Sequence, residues 1–165
     1  MFLSESEFSK VIKWTPLVSI DLCILKGREI LVGRRVNPPA KNYFFVPGGR
    51  ILKLEQKKDA LIRILRNELG MTLKNHNHNM MKEMGTYEHF YEDNFFNNND
   101  FGTHYLVMPY LIPYEELKQL DLVIKDEQHS EYSWINIDTI KHCSLKIHSY
   151  TLDYLKNPLF KKNTK

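Results

Sequence analysis

Apolar positions in the first third of the chain fall in short runs with the lengths and boundaries of β-strands. Residues 16–25 have the sequence PLVSIDLCIL, and after a turn at 26–28 the chain continues with EILVGRR. These two runs predict a β-hairpin. Two consecutive prolines at 38–39 then predict an extended loop, followed by a short strand at 43–46, YFFV, which ends at Pro47-Gly48-Gly49.

Later segments alternate between helical and extended patterns. Apolar residues at helical spacing predict a helix over roughly 57–69, and Gly70 suits its C-terminal end. Residues 80–91, 103–112 and 130–137 are predicted strands, YEELKQL is a short helix candidate, and 138–156 is predicted as a closing amphipathic helix. The order of strands, helix, strands and helix predicts an α/β (α+β) domain with a mixed sheet covered on both faces.

The size and composition of the chain suit one domain spanning residues 1–165. With 42% hydrophobic and 26% charged residues, a single core can bury roughly 70% of the unfolded surface. Basic side chains exceed acidic ones by 23 to 20, and no basic stripe interleaved with aromatic residues is present, so a nucleic-acid partner is not expected. The net charge of +3 suits an anionic small ligand.

Cysteine usage and the N-terminal sequence predict a reduced, cytoplasmic protein. Cys23 and Cys143 are isolated and lack the CxxC spacing of zinc or redox sites. The N-terminal MFLSESEF lacks the basic region and long apolar run of a signal peptide, and no stretch approaches about 18 consecutive apolar residues. We therefore expect no association with a membrane.

Two polar loops have more than one interpretation. Residues 75–79, NHNHN, contain a His-x-His pair that is compatible with a metal site, although two loop imidazoles without a third ligand are more often solvated. The Asn-rich segment 94–100 has the composition of a mobile loop, and a role as a lid stays open.

The densest group of chemically informative residues is at 48–70, GGRILKLEQKKDALIRILRNELG. On a helix advancing about 100° per residue, Glu68 lies within the apolar stripe that Leu61 and Ile64 define. A buried ionised carboxylate needs a cation or strong donors as partner, and the alternative is a partly exposed glutamate at a frayed helix end. Arg63 points away from this stripe and suits a surface position as well as a site.

Segment 49–70 resembles the Nudix box, G-x5-E-x7-R-E-U-x-E-E-x-G-U, where U is apolar. The box positions that the chain retains are Gly49, Glu55, Arg63, Leu65, Glu68, Gly70 and Met71. Two glutamates of the box helix are replaced, by Ile64 and Asn67. Further collinear segments extend the match, and with them the chain is similar to the GDP-mannose mannosyl hydrolases, an atypical Nudix family. These segments are MFL at the N-terminus, TPLVSID, YFFVPGGR, HFYEDNF, FGTHY and DEQH.

The resemblance implies a Nudix-type α/β/α sandwich and hydrolysis of GDP-mannose, or a related GDP-sugar, to GDP and free mannose. In this family water attacks the anomeric carbon with inversion, assisted by one Mg²⁺ per active site. Substitution at carbon requires the diphosphate to be stabilised as a leaving group, which one divalent ion and a few donors accomplish. The absence of glutamates at 64 and 67 fits this route, because attack at phosphorus commonly recruits more metal.

The resemblance also implies roles for individual residues. The Mg²⁺ ligands are the Gly48 carbonyl, Glu68 and Gln128, oxygen donors that suit this ion. His129 is the candidate general base, with Asp126 or Glu127 next in line. The diphosphate and sugar contacts are Arg35, Arg50 and Tyr105 on the diphosphate, and Asp21 and His89 on the sugar. The guanine contacts, often made across a homodimer, are Phe2, Leu3 and Phe8.

Without the resemblance, these residues have simpler interpretations. Taken alone, Gln128 suits a surface loop amide and His129 a structural histidine. Asp21 suits an edge position facing water, while Tyr105 and His89 suit a packed strand face. Two other functions also stay open: an ordinary Nudix pyrophosphatase that cleaves at phosphorus, and a nucleotide-binding sensor without catalysis. The sequence does not select among mannose, fucose and glucose.

Overall fold

A mixed β-sheet organises the domain, which a computed structural model describes for residues 3–74, 78–97, 100–120 and 128–162. The described strands are β1 (Leu17–Lys26), β2 (Glu29–Arg35), β3 (Phe44–Phe45), β4 (Gly48–Arg50), β5 (Met71–Leu73), β6 (Lys82–Glu83), β7 (Tyr87–Tyr91), β8 (Thr103–Pro113), β9 (Leu117–Gln119) and β10 (His129–Asn136). The helices are α1 (Glu5–Trp14), α2 (Lys57–Leu69), α3 (Ser149–Tyr154) and α4 (Pro158–Lys162). Single 3₁₀ turns lie at His78–Met80, Tyr114–Glu116 and Ile140–His142.

Strand β1 is at the centre of this sheet. Strands β10, β2, β1, β8 and β6 lie side by side in that order. Strand β1 runs parallel to β8 and antiparallel to β2 and β4. Strand β3 pairs with β2 and β7 with β8, while β5 and β9 form a separate two-stranded sheet. The pleat of β1 therefore decides which side chains enter each layer of the domain.

Alternate residues of β1 enter two separate cores on the two faces of the sheet. On one face, Ile20 and Leu22 are fully buried against the apolar stripe of α2. On the other face, Cys23 belongs to a core that includes Tyr154 and Phe160 from the C-terminal helices. Each fully buried aliphatic side chain contributes roughly 1.5–3 kcal/mol of stability. These contacts hold α2 and the C-terminal helices on opposite sides of β1.

The structure confirms several predicted elements. Helix α2 covers the predicted 57–69 and ends at Gly70, whose backbone is left-handed with φ of 61°. Strands β8 and β10 begin and end within one residue of the predicted ranges. The predicted strand 80–91 is instead two strands, β6 and β7, which Gly85 separates with φ of 94°. Glycine adopts this backbone conformation without the strain that a side chain would add.

Helix α1 was not predicted from the apolar pattern. Its N-cap is Ser4, whose hydroxyl accepts a hydrogen bond from the Glu7 amide, while the Glu7 carboxylate accepts one from the Ser4 amide. This reciprocal pair is a capping box, which the spacing Ser-x-x-Glu encodes. The cap is thus visible in the sequence, whereas a pattern search for buried apolar residues finds little in a helix with Ile12 as its one buried residue.

The predicted closing helix over 138–156 is wrong. The chain makes a 3₁₀ turn and continues through bends at 143–145 to His148, so helix within the predicted range is limited to this turn and to α3. Its backbone pairs with β3 here, because the Phe44 amide donates to Lys146 O and the His148 amide donates to Phe44 O. Apolar residues at 143, 145 and 147 pack on the core, at a spacing of two residues that an α-helix would not place on one face.

The predicted helix YEELKQL is also wrong. Only Tyr114–Glu116 forms a 3₁₀ turn, and Leu117–Gln119 is strand β9, paired with β5. The pairing places Leu117, which is 5% exposed, in the core beside α2. A strand of three residues is too short for its pattern to be distinguished from helix.

The two polar loops lie partly outside the described residues, which leave out 75–77 and 98–99. The His-x-His pair therefore cannot be placed. In the Asn-rich segment, Asn94 is fully buried, and its side chain donates to Phe101 O and accepts from the Phe96 amide. The start of this segment is thus anchored to the chain just before strand β8.

Tyr150 of α3 covers the outer side of β7. Its hydroxyl accepts a hydrogen bond from the Phe90 amide and donates one to the Phe90 carbonyl, each at 2.9 Å. Among the described strands, β7 pairs only with β8. One side chain therefore satisfies both backbone groups that a neighbouring strand would otherwise engage at this position.

None of the helices in the described parts of the chain is long and apolar enough to cross a membrane.

Replacement of Ser4 by alanine tests the cap of α1. We expect the free energy of unfolding to fall by about 1 kcal/mol, because the Glu7 amide loses its acceptor. Ser9→Ala, in the next turn of the same helix, is the matched control and is expected to change stability by less than about 0.5 kcal/mol. Urea denaturation measures both. Equal losses in the two variants would contradict the capping role.

Candidate active site

A cavity of about 560 Å³ lies against the face of β1 that points away from α2. The predicted site residues in its wall are Leu3, Phe8, Asp21, Arg35, Gly48, Arg50, His89, Tyr105 and Gln128. Of the others, Phe2 lies outside the described residues. Glu68 and His129 are not part of the described cavity wall, and they connect to it through Gln128. The fold therefore collects most of the predicted site around one space.

Arg35 stands at the end of β2 with its guanidinium held at two points. Its Nε donates to Pro39 O at 2.8 Å, and its Nη1 donates to Gln128 Oε1 at 3.4 Å. The loop that carries Pro38 and Pro39 thus supplies an acceptor that orients the arginine. A planar guanidinium fixed in this way can bind phosphate oxygens with two donors at once.

Arg50 supplies a second positive charge to the same wall. Its guanidinium lies over the Phe8 ring, with 3.8 Å between Cζ and the ring centroid. Burial lowers the pKa of Arg50, and the nearby Tyr105 opposes this shift. Arginine nevertheless remains charged at neutral pH. Burial raises the pKa of Tyr105, so its phenol stays protonated and able to donate.

Arg63 acts on the backbone beneath Arg50 rather than on the cavity. Its Nη2 donates to Arg50 O at 2.8 Å, and its Nε and Nη2 donate to the Glu55 carboxylate at 2.6 and 2.8 Å. The hydrogen bonds from Arg63 hold the pKa of Glu55 below its usual value. The retained Glu55 and Arg63 therefore tie the loop after β4 to α2, and Arg63 is neither a simple surface residue nor a cavity residue.

The same wall contains a buried carboxylate. Asp21 is 7% exposed, and its Oδ2 accepts a hydrogen bond of 2.6 Å from the Tyr154 hydroxyl. Burial raises the pKa of Asp21 to about 7, although the Tyr154 hydrogen bond and the Arg35 charge oppose the shift. Asp21 is therefore not the water-facing edge residue that the sequence alone allowed. A carboxylate with such a shift in a cavity wall is a functional candidate.

His89 lies beside Asp21 and is held by aromatic rings. It is 3% exposed, stacks on Tyr150 with 3.9 Å between centroids and 1° between planes, and its Nε2 is 3.2 Å from the Tyr154 hydroxyl. Burial lowers the pKa of His89 to about 4, with a further contribution from the neighbouring His148. The imidazole is therefore neutral at physiological pH.

The glycine pair allows β4 to approach both layers. A Cβ on Gly48 would lie 2.3 Å from Asp21 Oδ1, and a Cβ on Gly49 would lie 3.2 Å from the Ile64 side chain. The first contact is impossible, so a side chain at Gly48 would displace Asp21. The second is tight because Ile64 is fixed in the core at 1% exposure. Ile64, which replaces a glutamate of the box, is thus a core residue.

Glu68 and His129 lie together on the α2 side of the sheet, and Gln128 is hydrogen-bonded to Glu68. Gln128 Nε2 donates to Glu68 Oε1 at 2.7 Å, and His129 Nδ1 lies 3.6 Å from Glu68 Oε2. The Glu68 side chain is 13% exposed, so it lies within the apolar stripe as predicted and does not extend from a frayed helix end. Gln128 also accepts from Arg35 and so joins this group to the cavity.

The His129 ring lies across Gly33 and is fully buried. A Cβ on Gly33 would be 2.6 Å from the ring, so the glycine provides the space that the imidazole occupies. The Tyr132 hydroxyl donates to Glu68 O at 3.2 Å and lies 3.0 Å from His129 Nδ1. With its single proton used on that carbonyl, the hydroxyl accepts from Nδ1–H, which leaves the lone pair of the neutral ring on Nε2.

The donor chemistry of this group is compatible with one hard divalent ion. Among the described residues, no three His, Cys, Asp or Glu side chains are grouped as a metal site. One carboxylate, one amide oxygen and one backbone carbonyl remain, from Glu68, Gln128 and Gly48. Such oxygen donors suit Mg²⁺, which keeps several waters. Coordination by the Gln128 oxygen requires the amide to turn, because Nε2 now faces Glu68.

Aromatic residues that the sequence did not single out complete the cavity. Phe95 and Phe96 line it together with Phe8, and their ring centroids are 6.1 and 5.9 Å from that of Phe8. Leu3 is 46% exposed at the same end. Three phenylalanines and an arginine provide flat surfaces suited to a planar ring. The Asn-rich composition of the loop concealed this pair of aromatics.

Replacement of Asp21 by asparagine tests the buried carboxylate. The pKa of Asp21 is about 7 in the folded protein, and 3.8 is its ordinary value. Between these pH values the folded state holds a proton on Asp21 that the unfolded state has lost. The free energy of unfolding therefore falls as pH rises from 4 to 7. Relative to wild type, Asp21→Asn is expected to gain up to about 4 kcal/mol over this range.

Chemical denaturation at several pH values measures the gain of Asp21→Asn. Asp59→Asn, an exposed position in the first turn of α2, is the control and is expected to follow the wild-type profile. A stability difference between Asp21→Asn and wild type that does not change with pH would show that the carboxyl is not shifted.

Comparisons with known proteins agree with this architecture. The family model described as NUDIX domain matches residues 15–154. The low-salt glycan biosynthesis protein Agl8 of Haloferax volcanii is 33% identical over 129 residues, which cover 78% of this chain and 76% of the relative.

Solved structures show the same fold. A MutT NUDIX hydrolase from Burkholderia pseudomallei superposes with a TM-score of 0.68 at 20% identity, over 87% of this chain and 98% of that one. A NUDIX hydrolase from Nitrosomonas europaea gives 0.66 at 17% identity, over 90% and 91% of the two chains. The predicted α+β class with a mixed sheet is confirmed. The chain belongs to the Nudix hydrolase family.

Proposed function

We propose that the chain is a Mg²⁺-dependent hydrolase of a GDP-sugar, with GDP-mannose as the leading substrate. Water attacks the anomeric carbon with inversion, and GDP and free mannose are the products. The observation that carries this proposal is that one cavity wall combines two cationic side chains, Arg35 and Arg50, with the polar side chains Asp21 and His89. A diphosphate suits the two arginines, and sugar hydroxyls suit Asp21 and His89.

The box helix supports attack at carbon over attack at phosphorus. Position 64 is an isoleucine in the core and position 67 an exposed asparagine, so Glu68 is the single carboxylate that this end of α2 offers to a metal. Departure of GDP from carbon needs charge stabilisation on the diphosphate more than a metal-activated water. One ion and two arginines can provide that stabilisation.

The cationic part of the cavity stabilises the leaving group. Arg35 and Arg50 bind the diphosphate oxygens, and Tyr105 donates its phenolic proton to the same group. Since negative charge on the diphosphate increases as the bond to the sugar breaks, these donors stabilise the transition state more than the ground state. When bound by Gly48, Glu68 and Gln128, Mg²⁺ supplies additional charge neutralisation at the diphosphate.

We assign His129 as the acceptor of the proton of the attacking water. Because its ring is fully buried and outside the described cavity wall, this role requires a local rearrangement that brings the ring to the cavity. Tyr132 engages Nδ1, so we assign Nε2 as the basic nitrogen. Glu68, 3.6 Å from Nδ1, favours the imidazolium that results. Asp126 and Glu127, the next candidates for the base, lie outside the described residues.

The guanine contacts and the assembly are further parts of the proposal. Leu3 and Phe8 lie at the end of the cavity where Phe95 and Phe96 also stand, and this aromatic end suits a purine. We assign the same role to Phe2, and we propose that a cytoplasmic homodimer completes the site. The relative from Haloferax volcanii is named for glycan biosynthesis, which supports a substrate that contains a sugar.

Reaction in H₂¹⁸O tests the position of attack. We expect unlabelled GDP and label on the first-formed mannose, because water oxygen bonds to carbon. Mass spectrometry at early times measures both products, with free mannose in the same water as the control for exchange. Label in a phosphate group, together with GMP and a sugar 1-phosphate, would instead identify a pyrophosphatase. The absence of turnover with every GDP-sugar would favour a nucleotide-binding sensor.

Replacement of His129 by glutamine tests the general base. We expect kcat for GDP-mannose to fall on the order of 100-fold with little change in KM, because the proton acceptor is lost while the binding groups remain. His104→Gln is the matched control, since His104 lies on β8, stacks on Phe90 and is not in the wall of this cavity. Steady-state kinetics and thermal melting of all three proteins are compared. Wild-type kcat in His129→Gln would exclude the assignment.

A further inference from the structure

Tyr154 is placed to control two cavity residues without entering the cavity itself. Its side chain is fully buried, and it is not part of the described cavity wall. Its hydroxyl oxygen is 2.6 Å from Asp21 Oδ2 and 3.2 Å from His89 Nε2. Both of those side chains line the cavity. A single hydroxyl thus connects the two polar groups of one wall.

The proton of this hydroxyl has one destination. A phenol has one O–H, and here it donates to the Asp21 carboxyl oxygen. The phenolic oxygen can then only accept from His89, so Nε2 of the imidazole carries the hydrogen. Because the neutral ring carries one N–H, Nδ1 retains its lone pair. The chain of donors runs from His89 through Tyr154 to Asp21.

The second oxygen of Asp21 faces β4. A Cβ on Gly48 would lie 2.3 Å from Oδ1, and Gly48 itself is part of the cavity wall. When Asp21 is ionised this oxygen is an acceptor, as is Nδ1 of His89. His89 donates its one N–H hydrogen to Tyr154, and Asp21 accepts the Tyr154 hydrogen. Asp21 and His89 therefore present a pair of acceptors to the cavity.

We propose that Tyr154 is a positioning residue that makes this part of the cavity selective for ligand groups that donate hydrogen bonds. Hydroxyl groups on neighbouring carbons of a sugar have this chemistry, and an anionic group does not. The identity of the ligand as a sugar rests on the proposed function, whereas the hydrogen-bond chain does not. Arg35 and Arg50 in the same wall suit the anionic group of such a ligand, so one cavity offers both kinds of contact.

The surrounding packing makes removal of the hydroxyl a clean test. The His89 ring remains held by its stack on Tyr150 and by the edge of Phe45, whose centroid is 6.0 Å away. Tyr154→Phe keeps the ring that packs against Tyr87 at 5.0 Å. The variant therefore removes the hydrogen bonds to Asp21 and His89 and little else.

The tautomer of His89 tests the hydrogen-bond chain without any ligand. Long-range ¹H–¹⁵N NMR spectra distinguish a hydrogen on Nε2 from one on Nδ1. We expect the Nε2–H form in the wild type, and a loss of this preference in Tyr154→Phe. Tyr87→Phe is the matched control, because that hydroxyl contacts Asn157 and not His89, and it should keep the wild-type spectrum. An Nδ1–H form in the wild type, or an unchanged spectrum in Tyr154→Phe, would overturn the proposal.

Ligand binding tests selectivity for donors. Calorimetry with GDP-mannose, analogues lacking single sugar hydroxyls, and GDP compares wild type, Tyr154→Phe and Tyr87→Phe. We expect Tyr154→Phe to weaken GDP-mannose about 10-fold, as for one or two lost hydrogen bonds, with the affinity for GDP unchanged. For at least one sugar hydroxyl, removing it from the ligand should cost less affinity in Tyr154→Phe than in wild type.

The outcomes separate the two proposals. An equal loss of affinity for GDP and GDP-mannose in Tyr154→Phe would show a general structural role and overturn the positioning role. If no GDP-sugar binds the wild type, the proposed function fails, and the NMR result still decides whether Tyr154 sets the tautomer of His89.

Discussion

The burial of the Asp21 carboxylate is the constraint around which the site is organised. A carboxylate removed from water is unfavourable unless donors or charges compensate for the lost hydration. Here the compensation comes from distant parts of the chain: the Tyr154 hydroxyl in α3 and the Arg35 guanidinium at the end of β2. Gly48 is also required, because a side chain at this position would occupy the space of Asp21 Oδ1. Strands β1, β2 and β4 and helix α3 therefore meet at one group.

The sheet separates two kinds of chemistry. On one face, the cavity presents cations and acceptors to a ligand, and on the other, Glu68 and His129 are held among the apolar contacts of α2. Gln128 connects them, since it accepts from Arg35 and donates to Glu68. Any change that turns this amide alters both its neighbours. The Nudix framework is thereby retained with one carboxylate at this position of the helix.

Local sequence was sufficient where local interactions decide the structure. The helix over 57–69 and its glycine end follow from spacing and from the left-handed conformation of Gly70. Most of the cavity residues followed from the family resemblance. Tyr154 could not be found this way, because it is 133 residues from Asp21 and its hydroxyl matters only after folding. The helix predicted over 138–156 does not form along its full length, because the chain near Lys146 and His148 pairs with β3 despite the helical spacing of its apolar residues.

The hydroxyl of Tyr150 has a consequence for how copies of the chain meet. Exposed sheet edges are templates on which further strands assemble, and natural proteins block them in several ways. At Phe90, both hydrogen-bonding groups of the backbone are already occupied by one phenol from α3. The strand that presents His89 is thereby closed to intermolecular β-pairing at its middle. The aromatic packing that orients the imidazole thus also guards the molecule against aggregation along this edge.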